Sequence, residues 1–149
     1  LVNLKSQIER VASHDTSALI SGPTGSDKDK FARYLHDCSP RSSGPFISVN
    51  VGGFAVENPG VELFGSESNG EIHFGYLEQA SGGTLFMQDI FDMDLSTQAR
   101  LVSALESQSI LRVGGHESVK IDARVIASTR YDLQKEMAEG LFRKIYFMP

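Results

Sequence analysis

The chain has 149 residues, 40% hydrophobic and 22% charged, which suits one folded domain with its own core. Its formal net charge of −5 weighs against a broad nucleic-acid surface on this segment, because phosphate binding needs clustered Lys and Arg. The lone Cys38 excludes an internal disulfide and does not suggest structural zinc; no apolar run approaches the ~18 residues of a membrane span, and no signal peptide opens the chain. The chain reads as cytoplasmic. It also reads as a fragment, since it starts in mid-pattern and stops at Phe147-Met148-Pro149 without a closing element.

Leu4, Ile8 and Val11 recur at helical spacing and predict an amphipathic helix over 4–13. Ser17 to Ser21 is a short apolar run ending at Gly22, read as a buried strand. A turn follows, Gly22-Pro23-Thr24-Gly25-Ser26, and then a helix with Phe31, Leu35 and Cys38 on its inner face. Pro40 and the 42–45 stretch end that helix. Residues 46–49 and 84–87 are further strands, the second set off by Gly82-Gly83. Residues 96–106 predict a helix with Ser96 as N-cap and Leu101, Val102 and Leu105 on one face. The 111–113 and 119–121 runs, separated by Gly114-Gly115, predict a hairpin with a glycine turn. Residues 124–128 are a fourth buried strand, and 132–139 a last helix stopped by Gly140. Strands alternating with helices imply an α/β fold with right-handed crossovers and a mostly parallel sheet.

Strand, glycine turn and helix together make a phosphate cradle. Glycine lets backbone amides approach an anion, and the helix N-terminus adds partial positive charge. The P-loop pattern is G-x-x-x-x-G-K-[ST], and the corresponding stretch here is Gly22-Pro23-Thr24-Gly25-Ser26-Asp27-Lys28-Asp29. The first glycine and the lysine are in place. Asp27 replaces the second glycine and would set a carboxylate beside the β-phosphate, where two anions ~4 Å apart repel by about 1 to 4 kcal/mol. Asp29 stands at the hydroxyl position that would bind magnesium.

Read together, the segments resemble a known family. They are the run from Leu19 to Lys28 with Ala32-Arg33-Tyr34-Leu35-His36; Ser39-Pro40-Arg41; Gly44-Pro45-Phe46-Ile47-Ser48-Val49-Asn50; and Glu62-Leu63-Phe64-Gly65. They continue with Leu77-Glu78-Gln79-Ala80, Gly82-Gly83-Thr84-Leu85-Phe86, Arg112-Val113-Gly114-Gly115, the 122–129 stretch and Gly140-Leu141-Phe142-Arg143. In this order they resemble the central AAA+ domain of sigma-54-type bacterial enhancer-binding activators over nearly the whole chain. The resemblance implies a P-loop NTPase, a three-layer sandwich around a mostly parallel sheet, with residues 1–149 as the α/β core subdomain. A receiver-like N-terminal domain, a helical lid and a DNA-binding helix-turn-helix would lie outside this chain. An acidic residue after the lysine is usual in the family, so Asp29 fits.

The departures fall on the chemistry. Where the family has an acidic pair after the third strand, this chain has Gln88-Asp89. Gln88 is neutral and cannot support a magnesium–water shell; Asp89 is one methylene shorter than glutamate. Arg130 replaces the sensor asparagine. Asn50 matches the residue that couples the catalytic acid to nucleotide, and Arg143 matches the first trans-acting arginine finger. The second finger is absent from 144–147. The GAFTGA loop that contacts sigma-54 is absent between Gly65 and Gly75.

Each residue also has a plainer reading. Lys28 is a phosphate ligand or a solvated helix-start lysine; Asp89 is a residual general base or a helix-start acid favoured by the dipole. Asn50 is a switch or a strand-end hydrogen bonder, and Arg143 a finger or a surface arginine. Arg33 is a phosphate or guanine ligand or half of a helix-face salt bridge. His14, His36, His73 and His116 show no metal-ligand spacing and read as surface or turn histidines; Phe64 and Phe74 read as core. The expected nucleotide ligands are Gly22, Thr24, Gly25, Ser26, Lys28, Asp29 and Arg33, the catalytic candidates Asp89, Asn50 and Arg143, and no metal ligand is assigned. The function implied is a regulatory module that binds ATP weakly and hydrolyses it slowly or not at all. The alternative is a cyclic di-GMP sensor that controls assembly, like biofilm and motility regulators of this family that work with the housekeeping sigma factor. Implied partners are further copies of itself, as a dimer or ring, RNA polymerase holoenzyme, and DNA through a domain outside this chain.

Overall fold

The computed structural model describes residues 17–23, 25–54, 59–130 and 144–147. In chain order the elements are β1 (Ala18–Ser21), α1 (Lys28–Asp37), β2 (Phe46–Asn50), α2 (Pro59–Phe64), β3 (Ser66–Ser68), β4 (Glu71–His73) and α3 (Tyr76–Gln79). They continue with β5 (Thr84–Gln88), α4 (Leu95–Ser107), β6 (Ser109–Ile110), β7 (Val119–Lys120), β8 (Arg124–Thr129) and β9 (Lys144–Phe147). Short 3₁₀ turns, Val51–Gly53 and Ile90–Asp92, follow β2 and β5.

The central sheet has five strands in the order β2-β5-β8-β1-β9, and every pairing is parallel. Successive side chains on a strand point to opposite faces, and here both faces are covered. Ala18, Ile20, Phe86 and Ile126 pack on Phe31, Ala32 and Leu35 of α1. Their neighbours Leu19, Leu85, Met87, Val125 and Ala127 pack on the opposite side with Leu63, Leu77 and Leu101. This explains why β1, β5 and β8 read as unbroken apolar runs rather than alternating ones. It also makes the domain three layers deep, as expected of an AAA+ core.

Several expectations shift. The sheet gains β9, which pairs with β1 from Ala18↔Lys144 to Ser21↔Phe147; the pairing is long-range and has no local turn signal. Helix α4 begins at Leu95, not Ser96, because Asp94 is the N-cap: its carboxylate accepts from Thr97 N at 3.0 Å and from Thr97 Oγ1 at 2.7 Å. The predicted 111–113/119–121 hairpin is displaced. β7 pairs with β6, at Ser109↔Lys120 and Ile110↔Val119, while the 113 segment pairs with β3 through Glu67 N to Val113 O and Val113 N to Gly65 O, both 2.9 Å. Arg112 fixes that choice with ion pairs to Glu67 and Glu78. Phe74 is 53% exposed rather than core, with the Arg112 guanidinium 5.5 Å from its ring centroid; Phe64 is buried as expected. His36 is 1% exposed, not a surface histidine. Its Nδ1 lies 2.8 Å from Thr84 Oγ1, which ties α1 to β5, and burial lowers its pKa below the ordinary value. The predicted helices over 4–13 and 132–139, His14, Thr24 and Arg143 lie outside the described residues.

The stretch between Gly65 and Gly75 folds as a tight hairpin, β3 and β4, antiparallel from Ser66↔His73 to Ser68↔Glu71. Its turn is Asn69-Gly70, both at positive φ (52° and 81°), the pattern of a two-residue type I′ turn. At the base Gly65 has φ 80°, and a Cβ there would lie 2.4 Å from His73 O. Only glycine fits that close approach.

Candidate functional site

Strands β1, β5 and β8 end on the same edge of the sheet. In open parallel sheets that edge is where ligands bind. A cleft of about 200 Å³ lies there, lined by Gly25, Ser26, Lys28, Asp29, Phe86, Gln88, Asp89, Ser128 and Arg130. That is below the ~300–1,000 Å³ typical of pockets that enclose a drug-sized molecule. It suits a phosphate tail, with the rest of a nucleotide outside.

One wall is the loop after β1. Gly22 N donates to Thr129 O at 3.1 Å, Ser26 N to Pro23 O at 3.1 Å, and Lys28 N to Ser26 O at 2.8 Å. Gly25 takes φ 94° with no heavy atom within 4 Å of a would-be Cβ. Its freedom is needed for the turn, not for packing. Lys28 opens α1 and is 9% exposed. Its Nζ donates to Gly22 O at 2.6 Å and Pro23 O at 2.9 Å, so two of an ammonium's three donors hold the stem across the loop. The solvated-lysine reading is therefore excluded. Asp27 is exposed and does not line the cleft, so the expected crowding of a phosphate by its carboxylate is not what the fold produces. It sits at the N-cap of α1 without a side-chain cap bond.

The other wall is made by the ends of β5 and β8. Gln88 Nε2 donates to Ser48 Oγ at 3.3 Å. Asp89 sits in the left-handed region, φ 57° and ψ 53°, and turns the chain into the Ile90–Asp92 3₁₀ turn. Arg130 reaches over from β8: Nη1 lies 3.0 Å from Asp89 Oδ1. The same guanidinium donates to Asp92, Nη1 to Oδ2 and Nη2 to Oδ1, both at 3.2 Å. Asp89 is thus neither a free base nor a simple helix-start acid; it is ion-paired.

Of the sequence candidates, Gly25, Ser26, Lys28, Asp29 and Asp89 meet in the cleft, and Gly22 holds Lys28 from below through its carbonyl. Asn50 and Arg33 do not line it. Asn50 is level with Gln88 in the sheet, and its Oδ1 accepts from Gly52 N at 2.9 Å, which caps its own turn. Arg33 pairs with Asp37 at 3.4 Å on the exposed face of α1, with its guanidinium 5.1 Å from the Phe46 ring centroid. Sequence reading noted Arg130 as a lost asparagine but missed it as a wall of the site. The available signal was a charged residue directly after a wholly buried strand.

A parallel strand, a glycine turn and a helix opening on a buried lysine define a P-loop nucleotide-binding domain of AAA+ architecture. The P-loop NTPase domain of an Escherichia coli sigma-54 activator has the same fold, with a TM-score of 0.64 at 16% identity over 99% of this chain. The chain belongs to the Sigma-54 interaction domain family, whose model matches residues 1–148. It is 41% identical over 143 residues to the nitrogen assimilation regulatory protein NtrX of Azorhizobium caulinodans, covering 95% of this chain and 32% of that protein. It is 40% identical over 145 residues to the DNA-binding transcriptional regulator NtrC of Salmonella typhimurium, covering 94% and 31%. It therefore spans about a third of these relatives. Crystal structures of NtrX from Brucella abortus, including complexes with ADP and with ATP, superpose with a TM-score of 0.88 at 34–35% identity; they cover 99% of this chain and 35–36% of theirs. Among the described residues no helix is long and apolar enough to cross a membrane.

Proposed function

We propose that this chain is the nucleotide-binding AAA+ module of a bacterial DNA-binding transcription regulator, one that binds ATP weakly and hydrolyses it slowly or not at all. The observation that carries this reading is the contrast across one cleft. Lys28 lines the cleft beside Gly25 and Ser26 with one ammonium donor beyond the two that the loop carbonyls take, while the acid that would activate water, Asp89, is ion-paired to Arg130 at 3.0 Å. A general base needs a free carboxylate within hydrogen-bond reach of the attacking water, and here the guanidinium occupies Asp89 Oδ1. Gln88 adds no charge. The ADP and ATP complexes of the Brucella NtrX support nucleotide binding by this scaffold.

The tight β3–β4 hairpin stands where the family resemblance places the sigma-54 contact loop, so this module does not engage sigma-54 by that route. Its output is control of self-assembly, as a dimer or ring, by a cytoplasmic regulator that reaches DNA through a domain outside this chain and acts on RNA polymerase holoenzyme. Arg143 serves as an intersubunit finger in that assembly.

Calorimetry with ATP and with cyclic di-GMP, side by side, together with a phosphate-release assay, tests the reading. Heat with ATP and negligible phosphate release are expected; turnover matching intact sigma-54 activators would refute it. Heat with cyclic di-GMP alone would favour the sensor alternative, which has Arg33, exposed on α1, as its ligand.

A further inference from the structure

Nucleotide phosphate tails are strongly anionic, and in most phosphoryl-transfer sites magnesium shares in neutralising them. Magnesium needs oxygen ligands in octahedral geometry, and the protein contribution is usually one or two carboxylates. The cleft is lined by two carboxylates, Asp29 on the loop wall and Asp89 on the strand-end wall. Asp29 could give a divalent ion one oxygen ligand, but the donors at the strand edge do not fit that demand and would leave the ion without a ligand on that side. Gln88 presents a neutral amide already bonded to Ser48. The carboxylate beside it, Asp89, has the Arg130 guanidinium 3.0 Å away. A divalent ion on Asp89 would sit against a like charge.

Arg130 itself lines the cleft, opposite Lys28. A guanidinium is a planar fork of five donors that matches phosphate oxygens bidentately and never deprotonates. Its contacts to Asp92 are 3.2 Å long, and the two side chains are 36% and 30% exposed. Exposed pairs of this kind are weak, so a phosphate in the cleft can draw the fork away from Asp92.

We infer that this cleft holds the phosphate tail of a nucleotide without a divalent cation, with Arg130 and Lys28 supplying the positive charge from its two walls. This rests on the nucleotide-binding reading above. It assigns Arg130 as a phosphate ligand rather than only the partner of Asp89.

The test is calorimetric titration of ATP into the protein in excess EDTA and, separately, in excess magnesium chloride. The two dissociation constants are expected to agree within about threefold, far less than a tenfold step of affinity. A larger loss on chelation overturns metal-free binding and leaves the nucleotide reading standing. No heat in either buffer overturns both. Arg130→Asn is expected to weaken ATP binding in EDTA by roughly tenfold to a hundredfold, the size of a lost charge-assisted hydrogen bond. Asp92→Asn, which releases the fork, is expected to strengthen it by about twofold to fivefold, the scale of an exposed ion pair. A purely structural Arg130 would make both variants bind more weakly or leave both unchanged, and either result overturns the assignment. The comparison of buffers on the parent protein and the Asp92→Asn titration stand even if Arg130→Asn does not fold.

Discussion

On one side of the cleft stand a glycine at φ 94°, a buried lysine and a helix that starts at that lysine. On the other, the ends of β5 and β8 keep their positions in the sheet while their side chains differ in kind, an amide at Gln88 and a guanidinium at Arg130. The loop wall depends on backbone shape, which tolerates changes such as Asp27 because that side chain points outside the cleft's lining. The strand-end wall depends on individual charges, and one replacement reverses what it attracts. The proposed loss of hydrolysis without loss of binding rests on this difference between the walls.

This contrast can be broken from beneath. Phe86 is fully buried and forms part of the cleft's floor, so Phe86→Ala is expected to cost about 3–5 kcal/mol of stability in urea unfolding. Lys28→Ala removes the charged anchor of the loop wall; ATP affinity should fall roughly tenfold to a hundredfold, and losing its bonds to Gly22 O and Pro23 O should cost about 1–3 kcal/mol in thermal unfolding. Gln88→Asp with Arg130→Asn rebuilds the acidic strand-end wall. Magnesium should then improve ATP binding by about tenfold, on the order of 1.4 kcal/mol, and calorimetry with and without EDTA reads this directly. Asp94→Ala removes the α4 cap far from either wall. It should cost about 1 kcal/mol in thermal unfolding and leave nucleotide affinity unchanged.

The smallest effect concerns pH. His36 is buried with its pKa lowered by that burial, so the folded state favours the neutral ring. Its contribution is fully present above the unfolded value near 6.5 and is lost as pH falls toward the lower folded value. Urea midpoints should therefore drop between pH 6.5 and the acid limb, and His36→Asn should flatten that slope. A slope unchanged by the substitution would remove His36 as its source.

The apolar runs of β1, β5 and β8, the glycine turn at 22–26, the lysine at its end and the order of the family's segments were all legible in the chain. Each is a local pattern: burial on both faces demands uninterrupted hydrophobic residues, and a phosphate cradle demands glycine before a helix. Tertiary structure alone decided what depends on contacts distant in sequence. β9 joins the sheet because β1 offers it an edge; residues 111–113 leave the predicted hairpin because Arg112 finds Glu67 and Glu78; His36 is buried because Thr84 comes to meet it. Arg130 became a wall of the site in the same way. Its side chain spans from β8 to Asp89 and Asp92 beyond β5, and only the parallel pairing of those strands sets the three groups within ion-pair reach.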